Sequence, residues 1–74
     1  MNNKTNNEEL IIELKSEMKN CKNKRMYIRY SVILKHFQGL TNKDIAKLEN
    51  LEEHTVGRYI KNYNAEGIDG LVMN

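Results

Sequence analysis

A group of polar side chains between residues 53 and 62 has the chemistry and spacing needed to contact DNA bases. Its members are Glu53, His54, Thr55, Arg58, Lys61 and Asn62. They alternate with apolar residues at helical spacing, namely Val56, Tyr59, Ile60 and Tyr63. An arginine can bind guanine O6 and N7, an asparagine can pair with adenine, and a glutamate can accept from cytosine N4. The segment therefore predicts a helix whose exposed side reads base edges in the major groove.

The residues before this helix predict a shorter helix that would position it. Thr41 is a good N-cap, and Asp44 three residues later is placed to form a capping box. One apolar face follows, made of Ile45, Ala46 and Leu48.

A tight turn is expected between the two helices. Asn50 tolerates the left-handed conformation, Leu51 can return to the core, and Gly67 is a natural stop for the second helix. This order is that of a helix-turn-helix, with the second helix as the reading element. A plain helical hairpin, in which the same spacing serves only the core, is the alternative.

Four further residues are expected to contact DNA phosphates, namely Arg25, Arg29, Thr41 and Lys43. Arg25 and Arg29 lie one turn apart on an upstream helix, so both could follow one strand. A solvated charged face is an equally weighted interpretation of these arginines.

The charge distribution conflicts in part with DNA reading. The net charge is +2, but residues 22–36 hold five cations and no acid, whereas residues 41–66 hold four cations and five acids. A DNA-reading domain usually has its basic surface around the recognition helix, and here most of the positive charge lies upstream.

The rest of the chain predicts an all-α bundle of four helices in one domain, residues 8–74, after a flexible tail at residues 1–7. Thr5 with Glu8 would open the first helix, which ends near Asn20. The second helix would run from Lys24 to Gln38 and be stopped by Gly39. The core positions expected on these helices are Leu10, Ile11, Leu14, Met18, Cys21, Tyr27, Tyr30, Ile33, Leu34 and Phe37; Ile68 and Leu71 would pack beneath them.

Several classes of function receive no support from the sequence. A single cysteine, Cys21, excludes an internal disulfide, and no apolar run has the length of a membrane span. His36 and His54 lie on separate helices without a surrounding ligand cluster, so no metal is expected. No nucleophile–base pair indicates an enzyme, and neither a cofactor nor a small-molecule substrate is expected. We predict a cytoplasmic, nucleoid-associated protein whose partner is double-stranded DNA.

The segment from Arg29 to Leu71 resembles the N-terminal helix-turn-helix domain of bacterial insertion-sequence transposases of the mariner-like superfamily. The resemblance is carried by the Gly39-Leu40-Thr41 start, Asn42 to Ala46, His54-Thr55-Val56, Tyr59-Ile60-Lys61 and the stretch from Glu66 to Leu71. It implies a homeodomain-like fold that binds the terminal inverted repeats of a mobile element. The metal-dependent catalytic domain of such transposases has no counterpart in this chain.

Three positions differ from the usual pattern of that family. Asn50 stands where a glycine is usual, Glu49 where a leucine is usual, and Glu52 where a short polar N-cap is usual. Two other functions remain open: a stand-alone transcriptional regulator acting as a homodimer on a palindrome, and a protein-interaction domain that has lost DNA binding.

Overall fold

The computed structural model describes residues 3–71, with side chains from residue 8 onward. These residues form four α-helices followed by a short 3-10 segment, and no strand occurs among them. The helices are α1 (Asn3–Asn20), α2 (Lys24–Phe37), α3 (Asn42–Glu49) and α4 (Glu53–Glu66), and the 3-10 segment is Gly67–Leu71. The predicted all-α bundle of four helices is confirmed.

Local capping signals explain most of the helix boundaries. Asn23 caps α2, because its side-chain oxygen accepts a hydrogen bond from the backbone N–H of Met26 at 3.2 Å. Gly39 ends α2 as predicted, with a positive φ of 98° that is costly for other residues. The first helix begins at Asn3, two residues before the predicted capping residue Thr5. The expected tail therefore overlaps α1, and residues 1 and 2 lie outside the described range.

The central element of the core is α2, which has neighbours on several sides. It packs against α1, α3, α4 and the 3-10 segment. Six consecutive residues of α2, Arg29 to Leu34, are buried as a result. The fully buried side chains of the core are Leu14, Val32, Ile33, Ile45, Val56 and Leu71.

Two side chains predicted to face the core are exposed instead. Tyr27 is 47% exposed and Leu48 is 63% exposed, so both predictions were wrong. Each lies at the edge of its helix's apolar face, where the neighbouring helix decides whether the side chain is covered. Ile12 on α1 is also 67% exposed.

A polar cluster connects α2 to α3. Glu49 Oε2 lies 2.6 Å from Lys35 Nζ and accepts a hydrogen bond from Ser31 Oγ at 2.5 Å. Lys35 Nζ also donates to Ser31 Oγ at 2.8 Å. Lys35 is one of the five cations counted in residues 22–36, and its charge is neutralised by Glu49.

Candidate nucleic-acid interface

The turn between α3 and α4 adopts the conformation that its sequence predicts. Thr41 caps α3, with its hydroxyl oxygen accepting from the backbone N–H of Asp44 at 3.1 Å. Asn50 takes the left-handed conformation, with φ 59° and ψ 47°. The N–H of Leu51 then donates to the carbonyl oxygen of Ala46 at 2.9 Å, closing a Schellman-type end. Asn50 thus adopts the left-handed conformation that ends α3, at a position where glycine is usual.

The recognition candidate α4 begins without a side-chain cap. Glu52 holds the N-cap position in an extended conformation and makes no capping hydrogen bond with its side chain. Its negative charge and that of Glu53 still favour the positive end of the helix dipole. The apolar side of α4 is buried through Val56, Ile60 and Tyr63.

The two flanks of α4 are occupied by different elements. On one flank Gly57 lies next to Asn42, the first residue of α3. On the other flank the 3-10 segment packs so closely that a Cβ on Gly70 would clash with the carbonyl oxygen of Asn62. The surface left between these flanks contains His54, Arg58 and Lys61, all exposed. We call these three residues the reading strip.

Most of the predicted base-reading residues are accessible. Besides the reading strip, Glu53 and Asn62 are exposed. Thr55 is only half-buried, and it lies two turns before Asn62, on the flank next to the 3-10 segment. Its accessible side is therefore turned away from the reading strip.

Three of the four predicted phosphate-contacting residues are exposed, namely Arg25, Thr41 and Lys43. The Thr41 oxygen accepts the capping hydrogen bond, which leaves its own proton free to donate to a phosphate oxygen. Thr41 and Lys43 lie at the start of α3, on either side of Asn42, and so next to the Gly57 flank of α4.

The prediction that Arg29 lines the outer side of α2 was wrong. Arg29 is 6% exposed, and its Nη1 donates to the carbonyl oxygen of Leu71 at 3.1 Å. Its guanidinium also stacks over the ring of Tyr59, with Cζ 5.3 Å from the centroid. Arg29 therefore connects α2 to α4 and to the 3-10 segment, and we remove it from the phosphate-contacting set.

A family model for homeodomain-like domains matches residues 23–72, which is more than half of the chain. The chain belongs to the homeodomain-like domain family. Comparisons with curated proteins and with solved structures found no match. The matched range contains α2, α3, α4 and the 3-10 segment, whereas α1 lies outside it. A helix-turn-helix domain of this family indicates a DNA-binding role.

Within this homeodomain-like domain, the polar contacts change the charge balance inferred from sequence. Glu49 is paired with Lys35, so one acid of the α3–α4 region is neutralised. Burial of Arg29 and pairing of Lys35 also remove two cations from the upstream basic surface. The surface upstream of α3 therefore carries less excess positive charge than a count along the sequence gives. This reduces the conflict with a DNA-reading role.

One residue of this surface was missed by sequence reasoning. Asn42 is exposed at the first position of α3, and its amide nitrogen lies 3.8 Å from where a Gly57 Cβ would be. The signal in the sequence was its position directly after the N-cap Thr41, at the start of the first helix of the helix-turn-helix, which is the helix that crosses the DNA backbone.

Two other kinds of site have no candidate among the described residues. In residues 3–71 no helix is long and apolar enough to cross a membrane. Across the same part of the chain, no three His, Cys, Asp or Glu side chains form a group suited to a metal ion.

Proposed function

We propose that this chain binds double-stranded DNA, with α4 in the major groove and its reading strip on base edges. The observation that carries the proposal is the exposure of His54, Arg58 and Lys61 on the side of α4 opposite its buried residues. Arg58 binds guanine in this arrangement, and Lys61 and Asn62 contribute one turn later. Arg25, Thr41 and Lys43 contact phosphates, which fix the position of the domain on the duplex. The chain acts as a binding module, and localisation to the nucleoid follows from that activity.

We propose further that the DNA bound is the terminal repeat of a mobile element. The support is the resemblance of residues 29–71 to the first DNA-binding module of mariner-like transposases, together with membership of the homeodomain-like family. Selection of bound duplexes from a random library tests this proposal. Recovery of a motif that occurs as two inverted copies flanking the coding region is expected, and a motif absent from those flanks would contradict it.

Alanine substitutions separate base reading from phosphate contact. Arg58→Ala should cost about 1–3 kcal/mol on the selected duplex and relax the preference at one base pair. Arg25→Ala should weaken binding to all duplexes about equally and reduce the slope of log K against log salt by about one unit. Fluorescence anisotropy titrations at several salt concentrations measure both effects.

Lys47→Ala is the matched control, since Lys47 is an exposed cation of α3 outside the proposed contacts. It should leave base preference unchanged. If Arg58→Ala behaves like this control, the reading strip has been assigned to the wrong face of α4.

A second candidate function is that of a homodimeric transcriptional regulator on a palindromic site. The observation that favours it is Ile12, which is 67% exposed on α1, a helix outside the matched family range. Pairing of two copies through α1 would bury this side chain. Sedimentation at micromolar concentration tests it: a dimer that Ile12→Lys dissociates supports this function, and a strict monomer contradicts it.

A third candidate, a protein-interaction domain without DNA binding, is favoured by the acidic start of α4 at Glu52 and Glu53. A titration with mixed-sequence and AT-rich duplexes at low salt distinguishes it from the main proposal. Nonspecific binding at low salt is a general property of DNA-reading domains, so its absence at about 10 μM protein would favour this candidate.

A further inference from the structure

Gly57 lies in the second turn of α4, where a glycine weakens the helix. Glycine in a helix interior costs about 1 kcal/mol relative to alanine, because it loses more backbone entropy on folding. The positive-φ glycines of the described residues are Gly39 and Gly67, so Gly57 is not required by its backbone conformation.

Packing within the chain does not require Gly57 either. A Cβ built on this residue would meet, outside its own helix, only the amide nitrogen of Asn42 at 3.8 Å, an ordinary van der Waals distance. Gly70 shows the opposite case, since a Cβ there would clash with the backbone of Asn62. Packing within the chain therefore explains the glycine at position 70 but not the glycine at position 57.

The absence of a side chain at Gly57 leaves a notch on the surface between α4 and the start of α3. Lys61 follows Gly57 by one turn and Glu53 precedes it by one turn, so both lie on this side of α4. On the α3 side the notch adjoins the amide of Asn42, with Thr41 and Lys43 next to it in sequence. All five of these residues are exposed.

We infer that this notch seats one sugar–phosphate strand of the DNA, and that Gly57 is a glycine so that the strand can approach the backbone of α4. The inference rests on the proposed function. The groups on the α3 side of the notch suit a phosphate rather than a base, because the amide of Asn42, the hydroxyl of Thr41 and the ammonium group of Lys43 are all hydrogen-bond donors. A methyl group at position 57 would hold the strand away from all of these donors at once.

Gly57→Ala tests the inference because its two effects have opposite signs. It should raise the thermal midpoint, since alanine is the better helix former. It should also weaken binding to a mixed-sequence duplex of about two helical turns by roughly tenfold, the scale of one lost hydrogen bond to a charged group. A mixed-sequence probe suffices, because a phosphate contact does not depend on the base sequence.

Ser16→Ala is the matched control, since Ser16 is exposed in the middle of α1 and outside the proposed DNA contacts. It should raise the midpoint by a similar mechanism and leave DNA affinity unchanged. Gly57→Ser is the second variant; it is also a better helix former than glycine, and it should weaken DNA binding like the alanine variant.

The possible results separate the inference from the proposed function. If the wild-type chain binds the duplex and Gly57→Ala binds it equally well, the inference fails and the proposed function stands. If both position-57 variants are less stable than the wild type, Gly57 has a packing role and the inference also fails. If the wild-type chain does not bind the duplex at all, both the proposed function and the inference fail.

Discussion

Arg29 shows how one side chain can be reassigned from function to structure. Its sequence context, one turn after Arg25 on a helix rich in cations, is typical of a phosphate contact. In the fold its guanidinium is enclosed by the carbonyl oxygen of Leu71, the sulfur of Met26 and the ring of Tyr59. Its Nε has no hydrogen-bond partner within the described part of the chain, which is a cost of this burial.

Variants at Arg29 should change stability rather than DNA affinity. Arg29→Ala should lower the free energy of unfolding by about 2–4 kcal/mol, because it opens a cavity and leaves the Leu71 carbonyl unpaired. Arg29→Met keeps most of the side-chain volume and should cost about half as much. Urea denaturation measures both losses.

The exposed Arg25 provides the comparison. Arg25→Met should leave stability within about 0.5 kcal/mol of wild type and weaken DNA binding. A folded Arg29→Met variant with the DNA affinity of Arg25→Met would show that Arg29 does contact phosphate.

At the scale of elements, the orientation of α3 depends on polar contacts as well as on apolar ones. Ile45 and Ala46 are its buried residues, a small apolar face for a helix of eight residues. The cluster of Ser31, Lys35 and Glu49 adds a second attachment at the end of α3, directly before the turn at Asn50. Glu49, which stands where mariner-like transposases usually have a leucine, therefore helps to fix the start of α4.

A double-mutant cycle on Lys35 and Glu49 measures this attachment. The two side chains are 26% and 13% exposed, so their interaction is less screened than that of a surface pair. Lys35→Met and Glu49→Gln should show a coupling energy of about 1 kcal/mol in urea denaturation.

The control cycle pairs Glu49→Gln with Lys47→Met, because Lys47 is an exposed lysine two residues away on the same helix. Its coupling should be near zero. Equal coupling in the two cycles would mean that the contact between Lys35 and Glu49 adds nothing specific.

At the scale of the whole molecule, α1 completes the core although it lies outside the matched family range. It contributes the fully buried Leu14 and brings acidic residues close to two core tyrosines. Burial raises the pKa of Tyr63, and the carboxylate of Glu13 raises it further. Burial likewise raises the pKa of Tyr30, with smaller contributions from Glu17 and Cys21.

These raised pKa values predict a loss of stability in alkali. In the unfolded chain a tyrosine loses its proton near its ordinary pKa of about 10, whereas in the folded chain Tyr63 holds its proton to higher pH. The folded state then binds more protons, so the free energy of unfolding falls as pH rises above about 10; below that pH the contribution is complete. Urea denaturation at a series of pH values measures the effect.

Tyr63→Phe should make the alkaline loss smaller, because it removes a buried phenol. An alkaline loss as large in this variant as in the wild type would assign the effect to other groups.

The sequence alone determined the features that depend on neighbouring residues. The cap at Thr41, the left-handed turn at Asn50 and the stop at Gly39 each follow from hydrogen bonds or φ angles within a few residues. These local signals predicted the four helices and the exposure of His54, Arg58 and Lys61.

Only the tertiary structure decided which side chains of α2 meet solvent. Apolar residues that recur at helical spacing on one side of a helix predict one buried face. Because α2 has neighbours on several sides, Arg29 and Ser31 are buried with the apolar residues around them. Tyr27 and Leu48, conversely, are apolar or aromatic but stay largely exposed, because their neighbours cover only part of each side chain. Burial depends on partners distant in sequence, and the periodicity of a single helix contains no information about where those partners lie.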